Sequence, residues 1–495
     1  MDLGVLAVLA ACCGAAMAAE VNVTECAILM QFEDERGFLA DSMGVHPLGE
    51  AAPGASQAQG KFGSGCKLAS DQGWVDAGTN FGLRFCMPQQ TISVWVLPDE
   101  AAGAPEEGRF VLGCREAPER SSWRWNLVIF SGGRPGFAIY DGQQDPPSVV
   151  LRGDQPLPSD SWSHLAAVID TVGDKRVTLY VNGEPVASHD LFTNAPYGHL
   201  FIGAAPPHNF TGTVDELAIF ERALDPDEVR ALAAAKAPLQ AAGAAGHPQG
   251  FRVKPIRGRH QIMVAHSAVP RTRWMLRIPE HSYPKPEGEG YAIASDVAWE
   301  RDEDTGQWRL HWDADEATKQ QAMLDFHGTV TVQGNVIDFA LTIENVGETA
   351  WEKPRMTLFC LMAPESPDFV DYEAERTYVC RGGEWVTMGE VVNHEFADHR
   401  MCGIRVGDGP EEASRLAAKL SVDGKYLHAI ATDIAASLSF NFQTRTNCIH
   451  SNPGWDLLEP GQEQTATGKV YFLEGTLDEL YEMYLRDFAD EDDAQ

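Results

Sequence analysis

A chain of 495 residues exceeds what one hydrophobic core normally organises, so two large bodies or three small ones are expected. Lys+Arg 38 against Asp+Glu 72 gives a formal charge of −34, which opposes nucleic acid and anionic membrane as long-range partners. Hydrophobic content of 44% is ordinary for a folded globular protein.

The first stretch, LGVLAVLAACCGAAMA, is apolar but too short to span a bilayer. Ala16-Met17-Ala18 supplies a small-residue cleavage site, so residues 1–18 are expected to be a secretory signal, although Asp2 stands where a basic residue is usual. A second reading takes Leu9-Ala10-Ala11-Cys12 as a lipobox that leaves Cys12 as a lipid anchor. Both place the chain outside the cytoplasm, in an extracellular or periplasmic setting. Beyond Cys12 and Cys13 the cysteines divide into Cys26, Cys66, Cys86 and Cys114, then Cys360, Cys380, Cys402 and Cys448. Even counts in an exported chain permit disulfides within each half, and buried free thiols are the alternative.

From Cys26 to Ala235 short alternating strands are separated by turn residues. In RVTLYVNGEPVAS (176–188), Val177, Leu179 and Val181 alternate with polar neighbours, and Asn182-Gly183 is a two-residue hairpin turn. SHLAAVID (163–170), TISVWVLP (91–98) and HLFIGA (199–204) are further strands. GTVDELAIFERALDPDEVRAL (212–232) predicts a strand, a turn and a helix. Asp225 is placed to cap that helix, Pro226 opens it and Glu228 completes a capping box. Residues 236–250, rich in Ala and Gly, read as a linker. Strands return over 336–345, 356–364, 426–432, 437–444 and 469–475. Thr476 and Glu479 then cap a helix carrying Leu477, Leu480, Tyr481, Tyr484, Leu485 and Phe488 on one face, expected to dock on a sheet. Residues 489–495 are an acidic tail. The expected fold class is all-β: two sandwiches in series, over 26–235 and 251–488.

The closing stretch 212–232 resembles the end of LamG-like domains in the concanavalin A-like lectin/glucanase group. AILMQFEDERGFLADSMG, KFGSGCKLASDQGWVDAG, TISVWVLP, WSHLAAVID and LYVNGEPVAS follow that family's order, so the resemblance spans about 26–235. It implies a jelly-roll sandwich whose first and last strands are neighbours, and a role in binding glycan. Some relatives hold a structural Ca²⁺, and the resemblance places one between Asp34 or Glu33 and Asp215. The paired-carboxylate motif of the family's glucanases is missing, which argues against hydrolysis by this half. The second half is only loosely similar to galactose-mutarotase-like supersandwiches.

Three clusters are candidate sites. In WRWNLVIF (123–130), period-two alternation puts Trp123 and Trp125 on one strand face, either as a platform for sugar rings or as core. Arg252, Lys254, Arg257, Arg259, Arg271, Arg273 and Arg277 form a stripe without acids. Its pairs, 257/259 and 271/273 among them, suit an anionic glycan or neutralise nearby acidic surface. His394, His399 and His450 are candidate bases or metal ligands. The reading is a secreted carbohydrate-binding, lectin-like protein. A polysaccharide lyase or epimerase targeted by its first domain, and an adhesion protein, are the alternatives.

Overall fold

A computed structural model describes residues 21, 26–33, 37–43, 49–69, 72–77, 89–99, 108–115, 123–140, 148–192, 199–204, 208–239, 245–246, 250–256, 258–269, 272–283, 291–292, 297–302, 304–351, 355–363, 366, 368–392, 401–407, 409, 412–443, 447–455 and 457–488. The expected signal segment, Asp34, Cys86, Arg257, Arg271, His394, His399 and the acidic tail lie outside them. Among the described residues no helix is long and apolar enough to cross a membrane.

Four antiparallel sheets form two sandwiches. Sheet I runs Glu184–Asp190, Arg176–Val181, Ser163–Asp170, Gln89–Pro98, Gly212–Phe220, Ser64–Leu68, Ala55–Gln59, with Cys26–Met30 also paired to Gly212–Phe220. Sheet II runs Ser148–Arg152, Arg134–Tyr140, Trp123–Phe130, Arg109–Arg115, His199–Gly203, Trp74–Asp76, Glu50–Ala51. Met30 lies opposite Leu217, so the first and last strands of this sandwich are neighbours, as expected. Alternation explains the layers. Ile92, Val94 and Val96 point into the shared core, whereas Thr91, Ser93 and Trp95 point outward from sheet I. Asn182 (φ 50°) and Gly183 (φ 85°) make the predicted hairpin turn.

Sheet III, with strands Phe251–Pro255, Gln261–His266, Arg273–Tyr283, Arg355–Met362, Cys448–Pro453 and Ala435–Asn441 at its centre, faces sheet IV. Sheet IV is built around Asp325–Gln333, Val336–Glu344, Glu463–Glu474 and Tyr426–Thr432. Val264, Trp274, Leu276 and Leu361 meet Phe339 and Phe472 between them. The opposite face of sheet III carries Ile256, Met263, Met275, Cys360, Met362 and Cys448, which continue the apolar cluster of the first sandwich. There Lys254 is buried, donates to the carbonyl of Cys26 and lies 3.4 Å from Glu221 Oε1. The two bodies therefore share a contact rather than hang from a tether. Residues expected to be linker take part in structure: Ala245–Gly246 joins the edge of sheet III, and Leu239 docks on the first sandwich.

Both predicted helices form. Pro226–Ala233 has the full capping box from Asp225 and Glu228, and lays Val229 and Leu232 on Ala166, Val168 and Phe220 of sheet I. Leu477–Phe488 buries Leu480, Tyr484 and Phe488 on sheet IV, one turn apart each. Leu485, expected on that face, is 45% exposed, because it falls a quarter turn from the Tyr484 ridge.

None of the described cysteines, Cys26, Cys66, Cys114, Cys360, Cys380, Cys402 and Cys448, forms a disulfide. Most are buried small hydrophobes, and burial pushes the Cys66 thiol up to about 12. This corrects the expectation of disulfides for the described residues.

Lys254→Ala leaves the buried Glu221 carboxylate without its cation. Urea unfolding should show a loss of about 3–5 kcal/mol, and the double variant Lys254→Met, Glu221→Leu should recover most of it.

Candidate functional site

Three of the four outward sheet faces are covered. The Pro226–Ala233 helix lies on sheet I, the Leu477–Phe488 helix on sheet IV and the first sandwich on sheet III. On the outer face of sheet II, no described helix or strand from elsewhere in the chain packs, and an aromatic band crosses this face.

The band is assembled from neighbouring strands. Phe201, on the strand His199–Gly203, stands between Trp74 and Trp123, with ring centroids 6.1 Å from each. Phe110 meets Trp123 edge-on at 5.2 Å and stacks on His208 at 4.6 Å. His199 stacks on Phe201 and brings its Nδ1 to 3.5 Å from Asp76 Oδ1. Phe110 and Phe201 are buried, while Trp74 and Trp123 are half-buried and keep part of their indoles on the surface. Polar groups border them. Asn126 Oδ1 has no hydrogen-bond partner, and Asp76, His199 and His208 are half-buried.

Gly113 makes this possible. A methyl there would lie 2.4 Å from Trp123 Cζ3 and 2.7 Å from Asn126 Oδ1, so only glycine lets the indole lie across that strand.

Trp123 and Trp125 do not share a face, contrary to the period-two reading. The register slips between Cys114 and Arg115, which face Trp125 and Trp123. That irregularity turns Trp123 outward beside Asn126. Trp125 faces inward, fully buried and stacked with Phe137, and presents nothing to a ligand.

The basic stripe does not form a groove among its described members. Arg273 is 7% exposed and donates to the carbonyl of Thr272, while its own backbone N–H donates to Ser366 Oγ. Arg277 pairs with Glu280, and Lys254 is used between the sandwiches. Arg259 is half-buried and accepts, through its carbonyl, from Trp299 Nε1 at 2.6 Å. Lys254, Arg273 and Arg277 thus each have a separate internal partner. His450 is 5% exposed and lies 3.2 Å from Glu280 Oε2, not in an open cleft.

On sheet I a smaller hollow lies under the chain that leaves the helix. Ser93, Trp95, His164 and Glu216 line it, with Phe62 and Leu239 above. Ser93 Oγ is 2.9 Å from His164 Nε2, but His164 Nδ1 has no partner, so the pair lacks the orienting acid of a nucleophilic triad. Desolvation also drives His164 down to about 3, making it a poor proton acceptor.

Asp215, the expected calcium ligand, is buried next to Glu216 on the strand Gly212–Phe220. Its Oδ2 accepts from the N–H of Phe62 at 2.9 Å and its Oδ1 from that of Glu216 at 2.8 Å. Glu216 and Leu217 together oppose one residue of the neighbouring strand, and Glu216 adopts φ 47°. This bulge turns consecutive carboxylates toward one side. Glu216 accepts from Gln31 Nε2 and from the N–H of Leu239, both at 3.0 Å, which pins the outgoing chain. Glu33, the sequence alternative to Asp34, accepts from the N–H of Ser64 at 2.9 Å.

Residues 73–230 match the family described as the concanavalin A-like lectin/glucanases superfamily. The first sandwich is accordingly a concanavalin A-like domain. Domain 4 of the extracellular arabinanase AbnA from Geobacillus stearothermophilus, solved with arabinotriose, is 23% identical over 42% of this chain and 98% of its own, with a TM-score of 0.36. The SAP-like pentraxin of Limulus polyphemus is 13% identical over 39% and 84%, with a TM-score of 0.27. The ligand-binding domain of botulinum neurotoxin serotype D, solved with N-acetylneuraminic acid, is 10% identical over 88% and 96%, with a TM-score of 0.36. No curated protein sequence matches the chain.

Desolvation raises the Asp215 carboxyl to about 6 and the Glu216 carboxyl to about 7. The folded chain then holds protons that the unfolded chain has released. This contribution to stability is complete below the ordinary carboxyl range and is lost as pH rises through about 6 to 7. Glu216→Gln should flatten the fall in urea midpoint between about pH 4.5 and 7; an unchanged slope would assign the titration elsewhere.

Proposed function

We propose that the first sandwich is a carbohydrate-binding module and that the outer face of sheet II is its binding surface. The observation that carries this reading is the row Trp74–Phe201–Trp123, whose two outer rings remain half-buried on a face that no described element covers. An indole offers a flat, apolar and polarisable face to the C–H side of a sugar ring, and its rigid side chain loses little entropy on binding. Asp76 and His199 stand beside the rings as acceptor and donor for hydroxyls. The superfamily match of residues 73–230 supports the same class of ligand.

The row favours an extended saccharide over a single sugar, because its two half-buried indoles lie on either side of a third ring. The reading also assigns the chain to an extracytoplasmic setting, where such glycans are met.

Isothermal titration against a panel of neutral and anionic oligosaccharides tests it. For the best ligand, Trp123→Ala and Trp74→Ala should each weaken binding about tenfold or more, which corresponds to about 1.4 kcal/mol. Far-ultraviolet circular dichroism should remain unchanged. Full affinity in both variants, or no binding across the panel, would overturn the assignment.

A further inference from the structure

The outward face of sheet III holds two cross-strand rows. Lys254, Met263, Met275, Met362 and Cys448 lie opposite one another in sequence across five strands. The next row on the same face is Gln261, Arg277, Cys360, His450 and Ser439. The methionines and cysteines make this an apolar, sulfur-rich surface facing the first sandwich. At one end three metal-ligating side chains meet. The donor atoms of Cys360, Cys448 and His450 all lie within 4.8 Å of one another, and all three residues are buried.

Their geometry fits a tetrahedral cation. Cys448 Sγ is 3.4 Å from His450 Nε2, and Nε2 is 3.2 Å from Glu280 Oε2. With metal–sulfur bonds of about 2.3 Å and metal–nitrogen or metal–oxygen bonds of about 2.0–2.1 Å, the edges of a tetrahedron are about 3.5 Å for S···N and about 3.3 Å for N···O. His450 Nδ1 is 2.9 Å from the carbonyl of Ser439, which requires that nitrogen to carry the proton. Nε2 faces Cys448 and Glu280; on giving up its proton to a binding metal it would take the orientation of a metal-bound imidazole held by an outer carbonyl. Arg277 grips the other oxygen of Glu280 and fixes the carboxylate. Two thiolates and one carboxylate around a divalent cation leave a single negative charge, which Arg277 balances.

A disulfide suits the same cysteines less well. Cys360 lies opposite His450, and Cys448 lies opposite Met362, so the two cysteines are a diagonal pair. Diagonal neighbours hold their backbones about 7–8 Å apart, beyond the usual disulfide range of about 4.4–6.8 Å.

We propose that Cys360, Cys448 and His450 form a structural zinc site on the face of sheet III that meets the first sandwich, with Glu280, now 3.2 Å from His450 Nε2, closing in as fourth ligand when the ion binds. It joins the strands Arg273–Tyr283, Arg355–Met362 and Cys448–Pro453 beneath that contact. Two thiolates and an imidazole, closed by a carboxylate on binding, are a zinc-selective set. The inference is independent of the carbohydrate reading.

The test uses the full chain, purified under reducing conditions without added metal. Mass-spectrometric metal analysis should find about one zinc per chain. Exchange with cobalt(II) should give a thiolate-to-cobalt charge-transfer band and the strong visible bands of a four-coordinate site. Cys448→Ser should lose about half of the charge-transfer intensity, while Glu280→Gln should keep it and shift the visible bands. If Cys448→Ser does not fold, the wild-type cobalt spectrum decides alone. Absence of the charge-transfer band overturns the proposal, as does zinc retained in the Cys360→Ser, Cys448→Ser double variant. Two thiols missing on titration of the unfolded, unreduced chain would replace it with a disulfide.

Discussion

Strand alternation governs this molecule. Every antiparallel strand sends successive side chains to opposite faces, so each sheet has two faces that must be satisfied. Two sandwiches satisfy four of the eight by pairing sheet I with sheet II and sheet III with sheet IV. The remaining four face outward, and the chain treats them differently. A capped helix seals sheet I, a second helix seals sheet IV, and the first sandwich seals sheet III. On sheet II no helix lies over the aromatic band among the described residues, and the proposed ligand would meet its half-buried outer indoles.

The same constraint concentrates polar chemistry where a sheet face is buried from outside. Sheet III presents Lys254, Arg277, Cys360, Cys448 and His450 to a body that excludes water, so each needs a partner. Lys254 reaches Glu221 and the Cys26 carbonyl, and Arg277 reaches Glu280. Two members of a cluster read along the chain as a basic stripe, Lys254 and Arg277, are thus held in internal ion pairs. On sheet I, Asp215 and Glu216 are likewise held by backbone N–H groups beneath the outgoing chain.

The elements themselves were legible because their signals are local. The strand Ser163–Asp170, the Asn182-Gly183 turn and the Asp225 capping box are each written within a dozen residues. The site was legible only in part, because it depends on register. Trp123 and Trp125 look equivalent until a slip opposite Cys114 and Arg115 separates them. Trp74, Phe201 and His199 come from distant segments and carry no shared motif, so nothing in the sequence joined them to Trp123. Cys448 and His450 are two apart on one strand, a spacing that puts both on one face. Their convergence with Cys360 and Glu280 needed the pairing of three strands. His450 was visible as a residue of interest, but its partners were not.

Oxidation footprinting of the tryptophans, read by mass spectrometry with and without oligosaccharide, addresses the central claim most directly. The account predicts that Trp74 and Trp123 react well before the fully buried Trp125, Trp274 and Trp312, and that a bound saccharide slows these two alone. Reaction of Trp123 no faster than Trp125, or binding that leaves both outer indoles unprotected, would contradict it.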